Sequence, residues 1–127
     1  MEENNKLIAE FLGWEKFYLE GCVEYILPES LADPIYKLDS RFILEFDSNW
    51  NWLMEVVEKI TSILMLDDNY KYNYLYIGYD FEDKEHYVNL YVSEDTQLNG
   101  SSKNSKIEAT YEAVVKFINF YNKQKEE

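Results

Sequence analysis

Phe46-Asp47-Ser48-Asn49-Trp50-Asn51-Trp52-Leu53-Met54-Glu55-Val56-Val57-Glu58-Lys59-Ile60 reads as a strand end, a polar cap and a helix, with no linker between them. Asp47 and Ser48 each carry a side-chain oxygen able to accept from the free N–H groups of a first helical turn. Trp50, Leu53, Met54, Val57, Ile60 and Leu64 share one face at the i, i+3, i+4, i+7 spacing. Trp52, Val56 and Ile63 add a second apolar stripe, and Asn51, Glu55, Glu58, Lys59 and Ser62 keep the remaining side polar. A helix apolar over so wide an arc must pack against more than one neighbour. It is predicted to be the central helix.

Upstream of it, Asn5 is placed to cap a helix from Lys6 to Gly13, with Leu7, Ile8, Phe11, Leu12 and Trp14 on one face. Gly13 is a natural stop. Phe17 to Leu27 is rich in β-forming residues but broken by Glu20-Gly21, which fits either a tight hairpin or one bulged strand. Pro28 and Pro34 exclude regular structure at their positions, so residues 28–40 are expected to form a long loop. Phe42, Leu44 and Phe46 alternate with Ile43 and Glu45, predicting a short strand that feeds the central helix.

Downstream, tyrosine stands at positions 70, 72, 74 and 76, the two-residue period of a strand. Pairing Asp80 with Glu85 across Phe81-Glu82-Asp83-Lys84 sets Ile77 opposite Val88, Leu75 opposite Leu90, Tyr74 opposite Tyr91 and Tyr76 opposite Asn89. One face of the hairpin is then aliphatic and the other tyrosine-rich, and a one-residue slip would mix them. Ser93 to Asn104 is polar and expected to be a mobile loop. Ser105-Lys106-Ile107-Glu108 has the form of a capping box opening a last helix to about Lys123. Ile107, Tyr111, Val114, Phe117, Ile118 and Tyr121 face inward, and Glu112 and Lys116 form an i, i+4 ion pair. The expected fold class is α+β: an antiparallel β-sheet packed with about three α-helices, as one domain over residues 1–127.

Charge narrows the partners. Twenty-five acidic residues against 12 basic ones give a net charge of −13, which disfavours gripping a phosphate backbone and favours a positively charged partner. No run of roughly 18 apolar residues is present to span a membrane, and the acidic start lacks the basic and apolar regions of a signal peptide. Cys22 is the single cysteine, so no internal disulfide forms. A cytoplasmic location is expected, with no membrane and no direct nucleic-acid contact.

Motifs for chemistry are absent: there is no Gly-rich phosphate loop, no HExxH, no CxxC and no GxSxG. His86, the one histidine, lies in a predicted strand with no nucleophile beside it, and Asp80, Glu82, Asp83 and Glu85 lack the spacing of a calcium loop. No catalytic residue, metal or cofactor is expected. The tyrosine face, Tyr72, Tyr74, Tyr76, Tyr87 and Tyr91, is either covered by another helix or partly exposed. If exposed, its rings flanked by Asp80, Glu82, Asp83 and Glu85 suit a basic protein surface. These nine residues are the candidate partner-binding site.

Three segments carry a family resemblance: Leu7-Ile8-Ala9-Glu10-Phe11-Leu12-Gly13-Trp14, Ser48-Asn49-Trp50-Asn51-Trp52-Leu53-Met54-Glu55-Val56-Val57-Glu58-Lys59-Ile60, and Ile107-Glu108-Ala109-Thr110-Tyr111-Glu112-Ala113-Val114-Val115-Lys116-Phe117-Ile118. Together they resemble small phage and prophage proteins of the phage ABA-sandwich domain type. The resemblance implies helix–sheet–helix layers and a mobile-element origin, and it implies no catalytic residues. Small acidic phage proteins without enzymatic motifs are often inhibitors of host defence, anti-CRISPR proteins among them. The expectation is a non-enzymatic inhibitor of a host nucleic-acid-handling protein, with an RNA-guided nuclease as first candidate. The alternative is an accessory or structural phage protein acting as a homo-oligomer.

Overall fold

The central helix α2 spans Trp50–Leu66 in the computed structural model, which describes residues 2–19, 22–25, 44–66, 74–93 and 96–126. Its buried stripe is Trp52, Leu53, Val56, Val57, Ile60 and Leu64, so the apolar arc centres on the Trp52–Val56 line. Trp50, expected on the inner face, stands at the helix start and is partly exposed. The cap also differs from expectation. Asn49, not Asp47 or Ser48, accepts through Oδ1 from the N–H groups of Asn51 (3.1 Å) and Trp52 (3.4 Å). Leu44 and Glu45 take no regular structure and Phe46–Ser48 form a turn, so the described end of the expected strand is not a strand. The N–H groups of Ser48 and Asn49 bond back to the Glu45 carbonyl, which bends the chain instead of extending it.

Helix α1 spans Glu2–Phe11. It ends in a Schellman motif: Gly13 N–H bonds the Glu10 carbonyl and Trp14 N–H bonds that of Ala9, with Gly13 at φ 74°. The Lys59 ammonium donates to the Phe11 carbonyl and sits 4.6 Å from the centre of the Phe11 ring, closing the same helix end. Burial, and then the charge of Lys125, hold the Lys59 ammonium below its ordinary range. Asn5 lies inside α1 as its fourth residue, and is buried where a cap was expected.

Strands β1 (Lys16–Leu19) and β2 (Cys22–Tyr25) pair antiparallel, with Leu19 opposite Cys22, so the hairpin alternative is the one formed. Tyr25 is buried and donates from its hydroxyl to Glu10 at 2.9 Å, fastening this two-stranded sheet to α1. The loop expected over residues 28–40 lies outside the described residues.

The second sheet has the order β3 (Tyr74–Asp80), β4 (Glu85–Tyr91), β5 (Gln97–Ser102), antiparallel throughout. All five pairings expected for the β3–β4 hairpin are present. Strand β5 falls where a polar mobile loop was expected. Its sequence, Gln97-Leu98-Asn99-Gly100-Ser101-Ser102, has poor intrinsic strand preference, and pairing with β4 overrides it. Helix α3 (Lys106–Glu126) then crosses β4 and β5 on their aliphatic face. Ser105 caps it by accepting from Glu108 N–H at 3.2 Å, while the Ser105 N–H donates back to Ser102 Oγ.

Leu90 and Val92 of the sheet side, Trp52 and Ile60 of α2, Ile8 and Phe11 of α1, and Val114, Phe117 and Ile118 of α3 form one core. Trp14, Phe46 and Trp52 meet ring to ring at 5.0–5.6 Å in its corner. The α+β class with three helices and an antiparallel sheet is therefore as expected. Of the two arrangements open for the tyrosine face, partial exposure is the one seen among the described residues. No described helix covers it, so the helix–sheet–helix layers that the resemblance implies are not formed around this sheet by the described elements.

The Glu112–Lys116 pair (3.1 Å) does more than an i, i+4 contact. Glu112 accepts from the Ser101 N–H and Lys116 donates to the Asn99 carbonyl at 2.7 Å, which occupies the outer edge of β5. Replacing both by alanine is expected to cost less than about 1 kcal/mol, since the pair is exposed. The freed edge is expected to make sedimentation of the variant concentration-dependent.

Candidate binding face of the tyrosine hairpin

The β3–β4 register puts Tyr76, Gly78, Asp80, Glu85, Tyr87, Asn89 and Tyr91 on one face, because side chains alternate along a strand and opposed residues share a side. Tyr76 is 51% exposed, while Tyr87 and Tyr91 are half-buried. The rings of Tyr76 and Tyr87 lie 5.8 Å apart and 32° from parallel, close enough for their side chains to interact through a hydrogen bond. That hydrogen bond, then burial, then the charges of Tyr76 and Asp80 hold the Tyr87 hydroxyl above its ordinary value.

Gly78 is the floor of this pair. A Cβ there would stand 2.6 Å from the Tyr87 ring and 2.8 Å from Tyr76 Cε1, so both rings lean over the bare backbone. The result is an aromatic plate of two mutually tilted rings across the two strands. Asp80 and Glu85 face each other one step further along, at its edge.

The tip is held by its own backbone. Asp80 Oδ1 accepts from the N–H groups of Glu82 (2.9 Å) and Asp83 (3.1 Å), and Lys84 takes φ 54° to re-enter β4. A non-glycine residue in the left-handed region is uncommon and tightens the turn. Phe81, Glu82, Asp83 and Lys84 are all exposed, Phe81 at 84%. Among the described residues, none of Asp80, Glu82, Asp83 and Glu85 has an ion-pair partner.

Of the nine candidate residues, the structure brings together Tyr76, Tyr87, Asp80 and Glu85, with Tyr91 further along the same face. Glu82 and Asp83 occupy the tip. Tyr74 opens β3 opposite Tyr91, and Tyr72 lies outside the described residues. Phe81 and Tyr79 were not among the nine. Tyr79 is 39% exposed, with its ring 5.0 Å from Phe81 on one side and 4.8 Å from His86 on the other. The sequence signal was an aromatic residue set among four acids in a turn, a position that solubility alone would fill with a polar group. His86 Nδ1 is buried without a hydrogen-bond partner, and its ring serves as packing for Tyr79.

Among the described residues no group of three His, Cys, Asp or Glu side chains is arranged to hold a metal ion, and no helix is long and apolar enough to cross a membrane. No protein-family model matches this chain, and neither a curated protein nor a solved structure is significantly similar to it.

Proposed function

We propose that this protein is a non-enzymatic binding protein whose acidic, aromatic hairpin occupies a basic surface with which another protein grips nucleic acid. The observation that carries the reading is the β3–β4 tip. Asp80 presets its turn, Phe81 projects 84% exposed, and four carboxylates around it lack ion-pair partners among the described residues. Preset loops with a projecting aromatic residue lose little entropy on docking, and such residues dominate interface energies. The net charge of −13 steers the encounter toward a positive partner. The resemblance to phage proteins makes an RNA-guided defence nuclease of the host the first partner to test, with the protein as its anti-CRISPR-like inhibitor acting in the cytoplasm.

The test is binding to guide-loaded nuclease, measured at low and high salt, with target-DNA binding followed in competition. Expected are salt-weakened binding, loss of DNA binding, and an affinity reduced by at least roughly tenfold in Phe81→Ala. Absence of binding at low salt, or binding indifferent to Phe81→Ala and Tyr76→Ala together, defeats the proposal. A mass that grows with concentration, without such a partner, moves the assignment to a self-associating phage accessory protein.

A further inference from the structure

We propose that the outer face of the β3–β4 hairpin is a seat for an arginine side chain of the partner protein. Its guanidinium stacks on the Tyr76–Tyr87 plate and donates to the carboxylates of Asp80 and Glu85. This assignment rests on the binding role above and names the side chain that the partner presents.

Three successive same-face cross-strand pairs build the seat: Tyr76 with Asn89, Gly78 with Tyr87, and Asp80 with Glu85. Successive same-face pairs are separated by roughly 7 Å along the strands, about the length of an extended arginine head with its last methylenes. Both rings lean onto Gly78, which shortens the distance from plate to carboxylates, and the Asp80 charge acts on the Tyr87 hydroxyl. The exposed side of Tyr76 leaves a ring surface open to a planar cation.

Charge complementarity selects the occupant. Like charges set directly opposite on a hairpin repel, and no described cation pairs with Asp80 or Glu85. A guanidinium between them turns that repulsion into attraction. Arginine suits the seat better than lysine because its planar, weakly hydrated fork can lie on an aromatic ring and still bond carboxylates in its own plane. A nucleobase could use the plate, but its phosphates would meet the two carboxylates and the net charge of −13.

Short oligo-arginine and oligo-lysine peptides of equal length test this on the whole chain, with amide shifts read by NMR. The arginine peptide is expected to bind roughly tenfold more tightly and to move the amides of Tyr76, Gly78 and Tyr87. Tyr76→Ala is expected to lower arginine binding to the lysine level, and Tyr76→Phe to keep the preference. Equal affinity for the two peptides, or a preference that survives Tyr76→Ala, overturns the seat. The peptide comparison with the unsubstituted chain decides even where a variant fails to fold. An arginine preference without nuclease binding would retire the nuclease reading and leave the seat standing, and nuclease binding without an arginine preference would do the reverse.

Discussion

Gly100→Ala is expected to destabilise the fold by about 3 kcal/mol or more, beyond the usual range for an added methyl in a packed site. The new Cβ would stand 1.9 Å from the Ala109 carbonyl oxygen and 2.8 Å from the Ala113 nitrogen. Both are backbone atoms of α3, so no side-chain rotation relieves the contact. Withdrawing β5 would break its pairing with β4 at Val88, and withdrawing α3 would pull Val114, Phe117 and Ile118 from the core. Gly78→Ala is the control. Its Cβ would meet the Tyr87 and Tyr76 rings at 2.6–2.8 Å, and those rings lie at the surface and can swing outward. A loss under about 1 kcal/mol is expected there, within the range of surface substitutions away from the core. Urea denaturation of the two variants, followed by circular dichroism, separates them. Similar losses would mean that α3 does not sit as close to β5 as its small residues allow.

The same contact explains what the sequence concealed. Asn99-Gly100-Ser101-Ser102 has the composition of a turn, and its strand character comes from β4 on one side and Ala109 and Ala113 on the other. Neither partner is near it in the local pattern. The β3–β4 hairpin was legible for the opposite reason. Alternation of tyrosine with Leu75 and Ile77, matched by Val88 and Leu90, admits one register, and the structure adopts it. Caps were misread where several polar residues competed. Asp47, Ser48 and Asn49 all suit an N-cap, and Asn49 holds it because the turn closed on the Glu45 carbonyl delays the helix start to Trp50, while Asp47 accepts from Asn5 of α1 instead. The candidate face followed the same rule. Its alternating members could be read from spacing, whereas Phe81 depends on a turn geometry set by Asp80 and Lys84.

Asn5→Ala is expected to cost about 2–4 kcal/mol, although it removes no large apolar group. The Asn5 amide donates to the Leu44 carbonyl at 3.1 Å and to Asp47 Oδ1 at 3.0 Å, and its oxygen accepts from the Tyr111 hydroxyl at 3.0 Å. One side chain thus joins α1, the segment entering α2, and α3. Alanine would withdraw three hydrogen bonds from a site where Asn5 is 5% exposed and Tyr111 is 7% exposed. Tyr111→Phe, which removes one of the three, is expected to cost about 1–2 kcal/mol. The clamp also has a pH signature. Burial, and then the charge of Asp47, push the Tyr111 hydroxyl from 10.0 up to about 12. A proton held more tightly in the folded chain stabilises it fully below pH 10.0 and ceases to do so as the pH passes through about 12. Alkaline unfolding is therefore expected to steepen across that window in the unsubstituted chain. In Tyr111→Phe the part of the slope due to this hydroxyl disappears, and urea midpoints measured through the window supply the check. An unchanged slope in Tyr111→Phe would mean that burial and Asp47 do not hold the hydroxyl proton more tightly in the fold than in the unfolded chain.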